Sequence, residues 1–197
     1  FSFGITSALQ LMCVQLGKVC VQSMVNMQGI AFMAAFTAVN RVDDFALTPQ
    51  QNIAHAATTF MAQNKGAGQE KRMKQGFFCG VLVELCYTAA VGSCVFLFAE
   101  PIMKLFLPEE SAEVIVLGVT YLHLISFLYL LSGSGNIVQG FFRGIGDLKV
   151  TLISSLLNIS VRVIAVFFML QVSNGGFGCL AWACCFGWIS MNLLEIP

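Results

Sequence analysis

Charge is what this chain has least of. Ten lysines and arginines and ten aspartates and glutamates are spread over 197 residues, a charged fraction of 10%. A soluble domain commonly carries about a quarter of its residues charged, so an ordinary water-exposed surface is excluded. The formal net charge is zero, which leaves no basic field to attract a nucleic acid, and no such partner is expected. Histidine is limited to His55 and His123, on different predicted helices and without an HExxH partner, so no zinc site is expected. Cysteine is plentiful, yet Cys13, Cys20, Cys79, Cys86, Cys94, Cys179, Cys184 and Cys185 fall in apolar runs without paired ligand spacing. They read as small buried thiols rather than disulfides or metal ligands. The chain lacks a starting Met and a signal peptide and stops within or just after an apolar stretch. Both ends are therefore expected to be internal to a longer polypeptide, with the last helix possibly cut short.

What fills the chain is hydrophobic residue, 57% of it, in stretches of about 20, the length a helix needs to cross hydrocarbon. The class is all-α and polytopic, and six spans can be drawn. The first runs from about Gly4 to Met27 and the second from Ile30 to Gln63, the latter too long for one straight crossing. Pro49 in its middle removes a backbone donor and predicts a bend. The third covers Met73 to Phe98, followed by an amphipathic link from Ile102 to Ser111 with Pro108 and the acids Glu109, Glu110 and Glu113. The fourth covers Val114 to Gly140, the fifth Val150 to Val172, and the sixth starts after Ser173-Asn174-Gly175-Gly176.

Lysine and arginine favour cytoplasmic loops. The loops after spans two and four carry Lys65, Lys71, Arg72, Lys74, Arg143 and Lys149, whereas those after spans one, three and five carry only Lys104. That alternation puts the amino-terminal end of the chain inside. A multi-pass protein of the cell membrane, of prokaryotic type, is expected.

The polar residues left inside the spans form stripes. Gln15, Lys18, Gln22 and Asn26 recur at three- and four-residue steps on the first helix. Asn40, Asp44, Thr48, Gln51 and His55 share a face of the second, with Arg41 and Asp43 to either side. Glu84 and Thr88 lie one turn apart on the third, and Thr151, Ser155, Asn158 and Arg162 share a face of the fifth. Ionisable groups in a bilayer usually face a bundle interior or a wet cavity. For a single residue, helix-to-helix hydrogen bonding or an ion pair such as Arg41 with Asp44 is the simpler reading. Taken together, the stripes point to a shared polar cavity. Gln15, Gln22, Asn26, Asn40, Asp44 and Gln51 are its candidate lining, and Lys18, Arg41, Asp43, Glu84 and Arg162 a candidate charge network. Asn158-Ile159-Ser160 matches a glycosylation acceptor but lies mid-span, and Gly133-Ser134-Gly135 lacks the strand of a nucleophile elbow. Nothing assembles a catalytic site, and no enzyme activity is expected.

Two segments carry a resemblance. Ala31 to Gln75 contains Ala34-Ala35-Phe36-Thr37-Ala38-Val39-Asn40-Arg41-Val42-Asp43, then Pro49, then Ala62-Gln63-Asn64-Lys65-Gly66-Ala67-Gly68 and Arg72. It resembles the eighth helix and following loop of the multidrug and toxic compound extrusion (MATE) family. Gln139-Gly140-Phe141-Phe142-Arg143-Gly144-Ile145-Gly146-Asp147, followed by Arg162, is similar to that family's tenth-to-eleventh helix stretch. The resemblance covers essentially the whole chain, in order and with matching helix spacing.

The resemblance implies a secondary antiporter of two six-helix lobes, of which residues 1–197 form the carboxy-terminal one. Its partners would be a small organic, often cationic substrate, membrane lipid and an amino-terminal lobe of the same polypeptide. No cofactor is implied beyond a coupling cation, Na⁺ or H⁺. Some members use a Glu on the seventh helix and an Asp on the tenth as a cation site. Here those stretches read Leu11-Met12-Cys13-Val14-Gln15 and Leu130-Leu131-Ser132-Gly133, with no carboxylate. Coupling through an Asp on the first helix, as in other members, would place the main cation site in the other lobe, with Asp43 and Glu84 left as auxiliary candidates for which a structural role is the simpler reading. Within the same superfamily a lipid-linked oligosaccharide flippase is the alternative, and a strongly cationic cavity would favour it. From a different class, a non-transporting scaffold is disfavoured by the intramembrane Lys and Asp.

Overall fold

The computed structural model describes residues 2–107, 112–172 and 176–195. Pro108, Glu109, Glu110 and Ser111, at the end of the expected link, and Ser173, Asn174 and Gly175 lie outside the described residues. All regular structure among the described residues is helical: α1 Ser2–Asn26, α2 Ile30–Gly66, α3 Glu70–Leu97, α4 Ala99–Phe106, α5 Ala112–Ile145, α6 Leu148–Phe167 and α7 Cys179–Glu195. A π-helical turn, Phe168–Val172, extends α6. Among the described residues four helices are long and apolar enough to cross a membrane: α1 from Gly4, α3, α5 and α6 with its π turn. The remaining two expected spans differ in kind. At 37 residues α2 has the length but carries Arg41, Asp43 and Asp44, while α7 is apolar but 17 residues long as described. Phe45, Phe78 and Leu97 turn outward, each more than 70% exposed. Such side chains are at home against lipid tails, which are as apolar as the chain itself.

Turns are built on glycine where the backbone demands it. Gly68 (φ 67°) and Gly146 (φ 88°) occupy the left-handed region at the ends of α2 and α5. The Gln69 N–H donates to the Asn64 carbonyl and the Gly68 N–H to the Lys65 carbonyl. The Asp147 N–H donates to Phe142 and the Gly146 N–H to Arg143 in the same pattern. Both basic loops thus end their helix with a Schellman motif, which satisfies carbonyls that a helix end leaves bare.

Helix α5 is the central post, packed against α2, α3 and α7, while α6 joins α1 to α7. Glycine again sets the distance. A Cβ on Gly140 would lie 2.5 Å from the Ala54 carbonyl oxygen, and one on Gly144 2.7 Å from that of Thr58. The Thr58 hydroxyl spans the same contact, donating to the Gly140 carbonyl at 3.0 Å. This corrects the expected end of span four at Gly140. Gly140 and Gly144 are packing positions inside α5, which runs on to Ile145, and Gly146 is the residue that ends it. The link after α3 also starts sooner than expected: α4 begins at Ala99, with Pro101 in a first turn where a missing N–H costs little. Of the cysteines, Cys184 and Cys185 are buried as expected, whereas Cys20, Cys79, Cys86 and Cys94 are exposed on helix surfaces.

Candidate functional site: a polar trough along α1 and α2

Three hollows of about 340, 330 and 250 Å³ follow α1 and α2 along the molecule. Gln22 lines both the first and the second, and Lys18 and Arg162 line both the second and the third, so the three join into one trough. The trough exists because three stripes converge. α1 supplies Gln15, Lys18, Gln22 and Asn26, α2 supplies Asn40, Arg41, Asp44, Gln51 and His55, and α6 supplies Ser155, Asn158 and Arg162. Every expected cavity residue lines it: Gln15, Gln22, Asn26, Asn40, Asp44 and Gln51.

The charge network is reorganised. Arg41 opens into the first hollow and Asp44 into the second, and the expected ion pair between them is not formed. Three residues apart on one helix, the two side chains point into different chambers. Among the described residues the only ion pair within 4.0 Å is Lys104 with Glu100, within α4. Asp43 lies in the floor, 9% exposed, and is held otherwise than by a cation: Tyr121 donates to it at 2.9 Å and Tyr129 at 2.6 Å. Arg162 borders the same hollow and lies within electrostatic reach of this carboxylate. Two phenols from α5 therefore fix an acid from α2, and α2 is pinned to the central post. Glu84 is not in the trough at all. It is 1% exposed at the α3–α5 contact, where its carboxyl group packs against Gly133 and finds no hydrogen-bond partner.

At the end of the trough near the Arg143 loop a second polar knot joins four helices. Arg143 donates to the Gln139 amide oxygen at 3.0 Å, and the Gln139 amide donates to Ser155 at 3.2 Å. Ser155 also receives the Gln10 amide at 2.6 Å, which ties α1 to α6. Glu195 of α7 is buried close to Arg143. Between the two knots, the Gln50 amide oxygen accepts from Ser132 at 3.4 Å and from Asn136 at 3.3 Å. Of the loop-motif residues, Arg143 alone reaches the trough. Asn64 is buried and turns its amide back onto the Phe60 carbonyl at 2.8 Å, and Gly144 packs on α2. Gln63 and Gly66, in the last turn of α2, and Gly68 and Asp147, in the loops, are exposed.

Sequence reasoning missed Tyr121, Tyr129, Gln10, Gln50 and Gln139. A signal existed for the tyrosines: two of only three in the chain stand eight residues apart, on one face of a helix. Gln10 continues the α1 face occupied by Gly17 and Val21 about two and three turns on, all buried. For Gln50 and Gln139 nothing local distinguishes them from the exposed glutamines.

The trough carries more positive than negative charge, with Lys18, Arg41, Arg143 and Arg162 facing Asp43 and Asp44. With this geometry in place, the chain can be set beside known proteins. A probable multidrug resistance protein of Bacillus subtilis (strain 168), YpnP, is 28% identical over 158 residues, covering 80% of this chain and 35% of that protein. An outward-facing multidrug resistance MATE family transporter of the MOP superfamily superposes with a TM-score of 0.87 at 19% identity, covering 96% of this chain and 43% of that one. An inward-facing transporter of the same description also gives 0.87, at 17% identity, covering 98% and 45%. The chain thus spans about a third of the length of that relative and under half of either solved structure. These are transporters and not enzymes, and the fold of this chain is that of one lobe of them. The profile of the MatE family matches residues 6–168, and the chain is a multi-pass membrane protein that belongs to that family.

Proposed function

We propose that residues 1–197 form the carboxy-terminal lobe of a two-lobe exporter, and that the trough is one wall of its translocation pathway. The observation that carries this is the convergence of polar stripes from α1, α2 and α6 on a row of adjoining hollows, in a chain whose outer faces are apolar. A wall open along one side needs a second wall, which the other lobe supplies. Outward- and inward-facing relatives both superpose equally well on this lobe. That favours alternating access by rigid-body rocking of lobes about a fixed site. Inward flow of Na⁺ or H⁺ drives export. With Asp43 engaged by two tyrosines and Glu84 outside the trough, the main coupling site falls in the other lobe.

For an organic cation, Asp44 is the open carboxylate of this wall. The excess of Lys18, Arg41, Arg143 and Arg162 supports a second reading, an anionic amphiphile such as a lipid-linked oligosaccharide. Efflux of ethidium from cells expressing the full-length protein separates the two. With a cationic substrate, Asp44→Asn should cut efflux about tenfold at wild-type abundance, a loss of roughly 1.4 kcal/mol of interaction, and Lys18→Gln should leave it intact or raise it. Unchanged efflux in Asp44→Asn would remove the cationic reading, and loss of anionic-substrate export in Lys18→Gln would install the other.

A further inference from the structure

Outside the trough, α2 and α3 leave an open groove of about 480 Å³. Its α3 wall is one helical stripe in which Gly76, Cys79 and Gly80 provide no side chain longer than a thiol. Its α2 wall is Ile53, Ala57 and Phe60. The Phe60 ring packs directly on Gly76, where an added Cβ would stand 2.1 Å from it. Small residues thus leave the slot free of long side chains over residues 76–80 of α3. Its loop end is capped by Arg72 and Gln75.

The charge at that end is uncompensated. Arg72 donates to Gln69 at 3.2 Å and has no carboxylate within 4.0 Å, and Lys71 and Lys74 flank it fully in the open. Glu70 is the only acid of the segment. Lys65 is otherwise engaged, donating to the Ile145 carbonyl at the end of α5. The positive-inside asymmetry places this end at the cytoplasmic headgroup level. A dry slot running along a span below a cluster of cations complements one kind of molecule: an alkyl chain ending in an anion. Basic pockets between transmembrane helices on that side suit anionic lipid headgroups.

We propose that the α2–α3 groove holds an acyl chain of an anionic glycerophospholipid, with its phosphate on Arg72 and its charge shared with Lys71 and Lys74. A free phosphate anion would be drawn to the same cations but has nothing to place in the slot. The test is native mass spectrometry of the full-length protein, stripped of lipid and titrated with phosphatidylglycerol or with phosphatidylcholine of identical chains. Phosphatidylglycerol should be retained better by about fivefold, the worth of one cation near an anionic headgroup. Arg72→Gln should abolish that preference. Cys79→Phe, which fills the slot without changing charge, should lower retention of both lipids, with Cys79→Leu as its substitute if the larger ring prevents folding. Inorganic phosphate should not displace bound phosphatidylglycerol. Equal retention of the two lipids, or a preference that survives Arg72→Gln, overturns the proposal. Full retention in the slot-filled variant reduces the effect to surface charge and overturns the groove, and displacement by inorganic phosphate overturns the lipid.

Discussion

Asp43→Asn is expected to unsettle the packing of α2 on α5 before it touches transport. Tyr121 and Tyr129 both donate to this side chain, at 2.9 and 2.6 Å, from positions that are themselves fully buried. A hydrogen bond to a charged group contributes about 1.5–3 kcal/mol. An asparagine keeps one acceptor oxygen, and its amide nitrogen cannot accept from the second phenol, so a loss of about 2–3 kcal/mol is expected. Arg162 loses its nearby counter-charge as well. Membrane abundance and the melting temperature in detergent should both fall. Tyr121→Phe and Tyr129→Phe should each do less. Combined with Asp43→Asn they should be clearly less than additive, because the three side chains act as a unit. Wild-type abundance and melting with lost ion coupling in Asp43→Asn would make this carboxylate a coupling group and return the cation site to this lobe.

Pro49→Ala should act the other way round, sparing the fold and impairing the cycle. Pro49 stands inside the unbroken helix α2, where its missing N–H leaves the Phe45 carbonyl without its usual donor. The neighbouring backbone is used by side chains. The Thr48 hydroxyl donates back to the Asp44 carbonyl at 2.6 Å, a bond that tends to bend helices. The Tyr87 phenol of α3 donates to the Ala46 carbonyl at 2.9 Å. Gln50, the next residue, reaches across to α5. An interior proline costs a helix about 3 kcal/mol, so alanine should hold or raise the melting temperature. Efflux should drop severalfold, because removing the bend that an interior proline imposes would swing Asp44 and Gln51 relative to one another along the trough. Normal efflux at wild-type expression would show that the proline serves only packing.

The existence and order of the helices were legible because long apolar runs and glycine turns are local signals. The trough was legible too, in part. A stripe at three- and four-residue spacing tells which residues share a face, and those of α1, α2 and α6 do meet. What a face meets is not written locally. Asp43 belongs by sequence to a charge network with Lys18, Arg41 and Arg162, yet its hydrogen-bond partners stand 78 and 86 residues away on α5. Glu84 sat on a plausible stripe with Thr88, and only the packing of α3 on Gly133 shows that this stripe faces α5 and not the trough. Glycine misled in one place for the same reason. Gly140 and Gly144 suggest a helix end, whereas the close approach of the α2 backbone explains them.

The most direct test of the trough as a translocation wall is protection by substrate. With every native cysteine replaced, the eight of residues 1–197 among them, Asp44→Cys and Phe78→Cys would be labelled with a maleimide in membranes holding the full-length protein. Asp44 opens into the trough, whereas Phe78 is 72% exposed and does not line it. Added transport substrate should slow labelling at position 44 and leave position 78 unchanged. Unchanged labelling at position 44, or equal protection at position 78, would contradict the trough as the substrate path.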